Sequence, residues 1–214
     1  MKIYRSSREV LDEVERALAP KTLAPGSALP LEQIAGALRR GRHYVATGIY
    51  LVTGERVLLL ASGGPECSSP QVDLGEGVVG KVAQSGKPRL VPDVSGEADY
   101  LKCYADTRSE LAVPIKMPGR VLGVLNLESA EVNGIGREEQ VLAKEVAARL
   151  ARFLAGRGKY LVRHARTQKS AAVPDRSGPR NTCGAEGAYT ASRATPSRAA
   201  DPGARRAAAG EKSR

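Results

Sequence analysis

Covalent chemistry in this 214-residue chain would fall to its three cysteines, Cys67, Cys103 and Cys183. Cys103 lies in DYLKCYADTRSELAVPI, residues 99–115, a short way ahead of Ser109, Glu110 and an apolar run that reads as a strand. A thiolate can attack an electrophile, but catalysis by a thiol needs a base or a second thiol within reach. The simpler reading of Cys103 is a small, half-buried residue in the wall of a pocket.

Two other stretches invite chemical readings. Gly75, Gly77 and Gly80 in LGEGVVGK suggest a phosphate cradle, yet no Lys-Ser or Lys-Thr follows as a P-loop requires. The glycines are read instead as permitting a tight entry into a short helix. KYLVRHART, residues 159–167, has the wording of a histidine phosphatase. That chemistry needs a second histidine in a phosphate pocket, and His43 is the only other one. A basic continuation of the last helix explains the stretch more simply.

Charge divides the chain. Residues 157–214 hold 13 basic and 4 acidic residues, whereas residues 1–156 hold 20 and 19, so nearly all of the net +10 sits at the C-terminal end. That end is rich in Ala, Arg, Ser, Gly and Pro and poor in large apolar residues. It cannot bury enough surface to offset its ordering entropy, so a basic, low-complexity, disordered tail is expected over 157–214, with Cys183 inert. The tail could touch nucleic acid or an anionic surface weakly, but Tyr160 and Tyr189 are its only aromatics, too few for a stacking platform. Unpatterned cysteines and the lack of an apolar leader suggest a reducing, cytoplasmic setting. No apolar run approaches the ~18 residues of a membrane span.

The elements that must position these residues follow from periodicity. SSREVLDEVERAL has Ser6 and Glu9 at capping-box spacing and Val10, Leu11, Val14 and Leu18 on one face, which predicts a first helix. LEQIAGALRRG predicts a second, stopping at Gly41. HYVATGIYLV and RVLLLASGG, joined by TGE, form a hairpin, and SELAVPI and RVLGVLNLES, joined by KMPGR, form another. Between them lie a short helix after Gly77 and a strand through Leu90 and Val91. REEQVLAKEVAARLARFLAG sets Leu142, Val146, Leu150, Phe153 and Leu154 on one face of a last helix that ends in glycine. The organisation expected is a helix and linker over 1–29, a folded α+β domain over 30–156, and the tail. The terminal helices carry more apolar surface than one sheet face should cover, so a homodimer through them is expected.

LGEGVVGKVAQSGKPRLVPDV, the Cys103 segment and RVLGVLNLES, in this order, resemble the GAF domain family over roughly residues 30–156. The resemblance implies a six-stranded antiparallel sheet with helices on one face and a small-molecule pocket on the other. It implies no particular ligand or cofactor, and no metal site is read. Within the family, the sequence is similar to the free methionine-(R)-sulfoxide reductases, in which a nucleophilic cysteine matches Cys103 and a Ser-Glu pair matches Ser109 and Glu110. That branch carries a resolving cysteine where this chain has Val79; Cys67 falls near another of its cysteines. Its two aspartates on the last strand are Asn126 and Glu128 here, which period-two geometry points into one space beside Val124. Asp93 and Tyr100 border the same pocket by resemblance. The expected ligand pocket is therefore Val79, Asp93, Tyr100, Cys103, Ser109, Glu110, Asn126 and Glu128. The expected function is a small-molecule or redox sensing domain, with a reductase using Cys103, Cys67 and Glu110 as the alternative.

Overall fold

The computed structural model describes residues 5–19, 29–42 and 44–170. The expectations for Cys183 and for the tail beyond Ser170 lie outside the described residues. The elements, in chain order, are α1 (Ser7–Leu18), α2 (Leu29–Arg42), β1 (Ala46–Thr53), β2 (Arg56–Gly63), β3 (Gln71–Asp73), α3 (Gly77–Ser85), β4 (Arg89–Val91), β5 (Ser109–Met117), β6 (Arg120–Ser129) and α4 (Arg137–Ser170). The strands form one six-stranded sheet in the order β3-β2-β1-β6-β5-β4. All of its pairings are antiparallel. This is the α+β arrangement that the sequence implied.

Local chemistry explains the helix ends. At α1 the Glu9 amide donates to the Ser6 hydroxyl at 3.3 Å and the Ser6 amide donates to the Glu9 carboxylate at 2.8 Å, the reciprocal pair of a capping box. α3 ends at Gly86, whose φ of 63° supplies the left-handed turn that stops the helix. α4 does not stop at Gly156, where its apolar pattern ends, but continues to Ser170 through the stretch 159–167 read as its basic continuation, so residues 157–170 of the expected tail are helical. Gly156 and Gly158 each cost a helix about 1 kcal/mol, too little to end one flanked by good helix formers.

Strand alternation sorts the sheet into two faces. Ile49, Leu51, Leu111, Val113, Ile115, Leu125 and Leu127 pack with apolar residues of α1, α2 and α4 into the main core. Each such side chain contributes about 1.5–3 kcal/mol on full burial. Tyr50, Ala112 and Val124 face the other way and meet Val78, Val79 and Val82 of α3. The helices thus divide, three on one face and the short α3 on the other. The buried Arg42 guanidinium donates to Ser7 Oγ and to Glu138 Oε1, both at 2.6 Å, and so joins the end of α2 to the first turns of α1 and α4.

The surplus of apolar surface expected on the terminal helices is absent. Val10, Val14, Leu142, Val146, Leu150 and Leu154 are each 2% exposed or less within one chain. The reason is layering: α1 lies against α2 and α4, which cover its stripe, while α4 lies against β5 and β6. Only the edges of those stripes, such as Leu11 and Leu18, remain partly exposed.

Candidate ligand site

On the α3 face, the residues facing the same way as Val124 are Asn126 and Glu128 on β6 and Glu110 and Ala112 on β5. Glu110 stands directly opposite Glu128 in the β5–β6 register, and Ala112 opposite Asn126. β1 closes the other side of β6, with Ala46 opposite Glu128. An exposed strand face would leave these polar groups in water, but Glu110, Asn126 and Glu128 are only 4%, 2% and 3% exposed. Two carboxyl groups and an amide are thus collected in a largely dry place.

Their hydrogen bonds are incomplete. Asn126 Nδ2 donates to Glu128 Oε1 at 3.0 Å, and the Thr107 hydroxyl donates to Glu128 Oε2. Asn126 Oδ1 is buried with no partner, and the Tyr100 hydroxyl, although beside Glu110 and Thr107, makes no hydrogen bond of good geometry. Buried polar groups in native proteins are nearly always paired, so a concentration of orphans marks a place where something else completes the set. The carboxyl pKa values follow from the same environment. Burial raises Glu110, the charge of Glu128 raises it further, and the nearby Tyr100 and Asn126 groups offset part of this. Burial likewise raises Glu128, against the Thr107 and Asn126 hydrogen bonds, which lower it. Two like charges at this spacing in a dry site resist ionising together, so the pair retains protons well above the usual carboxylate range.

The tyrosines around the pair are affected in turn. Burial and the neighbouring carboxyls raise Tyr50 and Tyr100 well above the ordinary phenol value, and burial with Glu128 pushes Tyr104 up to about 12. All three hydroxyls therefore stay protonated and can donate.

Cys103 lies at the edge of this cluster and is joined to Cys67 as a disulfide, with Cα atoms 5.2 Å apart. That separation is within the range a disulfide spans. Both cysteines pack with Ala46 and Tyr104, at the Glu128 end of the sheet.

Of the residues expected in the pocket, Glu110, Asn126 and Glu128 stand together with Tyr100 beside them, Val79 packs with Tyr100 in the apolar cluster of α3, and Cys103, bonded to Cys67, packs with Tyr104. Two expectations need correction. Ser109 alternates to the opposite face from Glu110, is fully buried, and donates to the Glu131 carbonyl at 2.8 Å. Asp93 caps the 3-10 turn Val94–Gly96, accepting from the Ser95 amide at 3.0 Å. That hydrogen bond lowers the Asp93 pKa, as expected of an ionised surface cap. Tyr50, Tyr104 and Thr107 were missed. Alternation along β1 points Tyr50 inward once β1 is known to pair with β6, but nothing local distinguishes Thr107. The glycine-rich turn is structural: Gly77 has a φ of 53°, and a Cβ on Gly80 would collide with the Asp73 carbonyl.

An antiparallel sheet with helices behind it, and a polar cluster under a short helix and a long loop in front, defines a small α+β domain built around one curled sheet. A family model described as "GAF domain" matches residues 31–155, and the chain belongs to that family. It is similar to GAF domain-containing protein A of Dictyostelium discoideum, 30% identical over 103 residues, covering 48% of this chain and 65% of the relative. It is also similar to the free methionine-R-sulfoxide reductase of Saccharomyces cerevisiae, 28% identical over 94 residues, covering 44% of this chain and 52% of that one. The chain thus spans between about half and two thirds of these relatives. Among solved structures, the free methionine-R-sulfoxide reductase from Neisseria meningitidis in complex with its substrate superposes with a TM-score of 0.62 at 24% identity, covering 78% of this chain and 98% of that one. Among the described residues, no helix is long and apolar enough to cross a membrane.

Proposed function

We propose that this domain is a redox-responsive sensor of a small polar molecule, which binds against Glu110, Asn126 and Glu128 beneath the Cys103 loop. The observation that carries this reading is the pair of orphaned buried groups, Asn126 Oδ1 and the Tyr100 hydroxyl, beside two carboxyls that resist ionisation. A ligand bearing N–H or O–H donors satisfies the amide oxygen and the carboxyls together. Cys67 and Cys103, at the rim, let the redox state of a reducing, cytoplasmic setting act on the same site. The signal passes to a second copy or another partner. A dimer would use the partly exposed edge at Leu18 rather than the buried stripes of α1 and α4.

A second reading, reduction of free methionine-(R)-sulfoxide, is favoured by the Cys67–Cys103 pairing. The Cys103 thiolate attacks the sulfoxide sulfur, the sulfoxide oxygen ends on Cys103 as a sulfenic acid, and the thioether leaves. Cys67 then displaces water to form the disulfide, and an external dithiol restores both thiols. Against this reading, Asn126 and a carboxyl pair that retains protons hold a cationic amino group less well than ionised acids do. The deciding assay follows loss of free methionine sulfoxide with dithiothreitol as reductant. The sensor reading expects no turnover above that of Cys103→Ala; robust turnover that depends on Cys103 replaces it with the reductase.

A further inference from the structure

The segment 97–108 connects the 3-10 turn to β5 with neither helix nor strand of its own. It lies over the carboxyl pair. Tyr100 sits beside Glu110, Tyr104 sits beside Glu128, and Thr107 donates to Glu128. Leu101 packs over Gly77 at the start of α3, although 43% of it is exposed. Both ends of the segment are well anchored. Arg89 Nη2 meets both Glu97 oxygens at 2.8 Å, and the Arg108 amide donates to the Ser129 carbonyl at 2.8 Å.

The middle is held differently. Lys81 pairs with Asp99 at 3.4 Å, but the Asp99 side chain is 77% exposed, and exposed pairs contribute little and are screened by salt. Ser68 Oγ, also exposed, reaches the Lys102 and Cys103 carbonyls at 3.3 and 3.2 Å. Tyr104 is buried and Thr107 donates to Glu128, but the tie that only a chemical step can release is the bond from Cys103 to Cys67. Two buried polar atoms stay unsatisfied with the segment in this place, Asn126 Oδ1 of the sheet and the hydroxyl of Tyr100 in the segment itself, so hydrogen bonding alone does not account for the closed arrangement.

We propose that the Cys67–Cys103 disulfide is a latch that holds segment 97–108 shut over Glu110 and Glu128, and that reduction releases the segment and opens the pair. As regulation of ligand access, this rests on the reading of the site as a ligand site; the motion itself does not. In the step, the S–S bond breaks, two electrons and two protons come from a dithiol that becomes a cyclic disulfide, and each cysteine ends as a thiol. Access to the carboxyl pair and redox state are then linked reciprocally, because whatever binds the open state better also favours reduction.

Lys102, exposed and next to Cys103, reports the motion directly, since a protease that cuts after lysine needs a locally mobile chain. The full chain is digested as oxidised protein, as protein reduced with dithiothreitol, and as Cys67→Ser without reductant, with fragments identified by mass after quenching. A tenfold or greater rise in cleavage after Lys102 on reduction is expected, matched by Cys67→Ser, with cleavage after Lys116 and Lys144 unchanged. Equal rates at Lys102 in all three samples overturn the latch. So does a parallel rise at every lysine, which makes the disulfide a staple of the whole domain. No ligand enters this test, so its outcome bears on the latch alone, and the sensor reading stands or falls separately on the methionine sulfoxide assay.

Discussion

Glu110 and Glu128 face each other across the β5–β6 register, and neither is more than 4% exposed. A carboxyl pair placed so is a liability to the fold, because ionising both would put two like charges in a poorly solvated space. The pair makes the stability of the domain depend on pH in a direction opposite to that of ordinary acid denaturation.

The folded state raises both pKa values, so it binds more protons than the unfolded chain. Their contribution to stability is fully present below about pH 4.5, the unfolded value, and is lost as pH rises through the raised folded values. Between pH 5 and 9 the melting temperature should fall by roughly 5 °C or more. Glu110→Gln should flatten that slope. A melting temperature that is level or rising over this range, measured by circular dichroism, contradicts the assignment.

Thr107 offers a finer test, because its hydroxyl lowers the Glu128 pKa by donating to the carboxylate. Thr107→Val removes the donor at nearly constant volume. Glu128 should then titrate at higher pH, and the fall in stability should shift upward with it. The cost in stability at pH 7 should be about 1–2 kcal/mol, the usual figure for one lost hydrogen bond to a buried group. Thermal scans across pH, compared with the parent, measure both effects.

Leu150 is fully buried in the main core, so Leu150→Asp places an unpaired charge there. It should unfold the domain or destabilise it by more than about 3 kcal/mol, whatever the oligomeric state. Leu18, only partly buried at the end of α1, is the informative position for assembly. Light scattering on Leu18→Asp should show a folded protein of smaller mass if two copies meet through this edge. An unchanged mass rules that edge out.

Gly123 on β6 lies where a Cβ would overlap the Tyr50 carbonyl of the paired strand β1. Gly123→Ala must therefore push β1 and β6 apart in the middle of the sheet. A loss of about 2 kcal/mol or more in urea titration is expected, typical of overpacking against an immobile backbone. Gly54, which has a φ of 65° but open space around it, should lose less on the same substitution.

Much of the fold was legible because its signals are local. The capping box at Ser6, the helical spacing of Val10 and Val14, and the two hairpins with their polar turns each depend on residues close in sequence. The edge strand β3 was not legible, since three residues give no period to read. The end of α4 was read both as a stop at Gly156 and as a basic continuation over 159–167, and the helix takes the second course, because a glycine lowers helix stability without stating what its neighbours contribute.

The site divides in the same way. Its family words and the period of β6 were enough to place Asn126 and Glu128 side by side, and alternation alone should have moved Ser109 to the other face from Glu110. Three facts needed the tertiary structure: that Glu110 meets Glu128, that Thr107 completes Glu128, and that Cys67 reaches Cys103 across 36 residues of chain. Each is a contact between segments whose approach is set by strand register and loop path. Local periodicity says which face a side chain takes, but the partner it finds there depends on how distant segments pack.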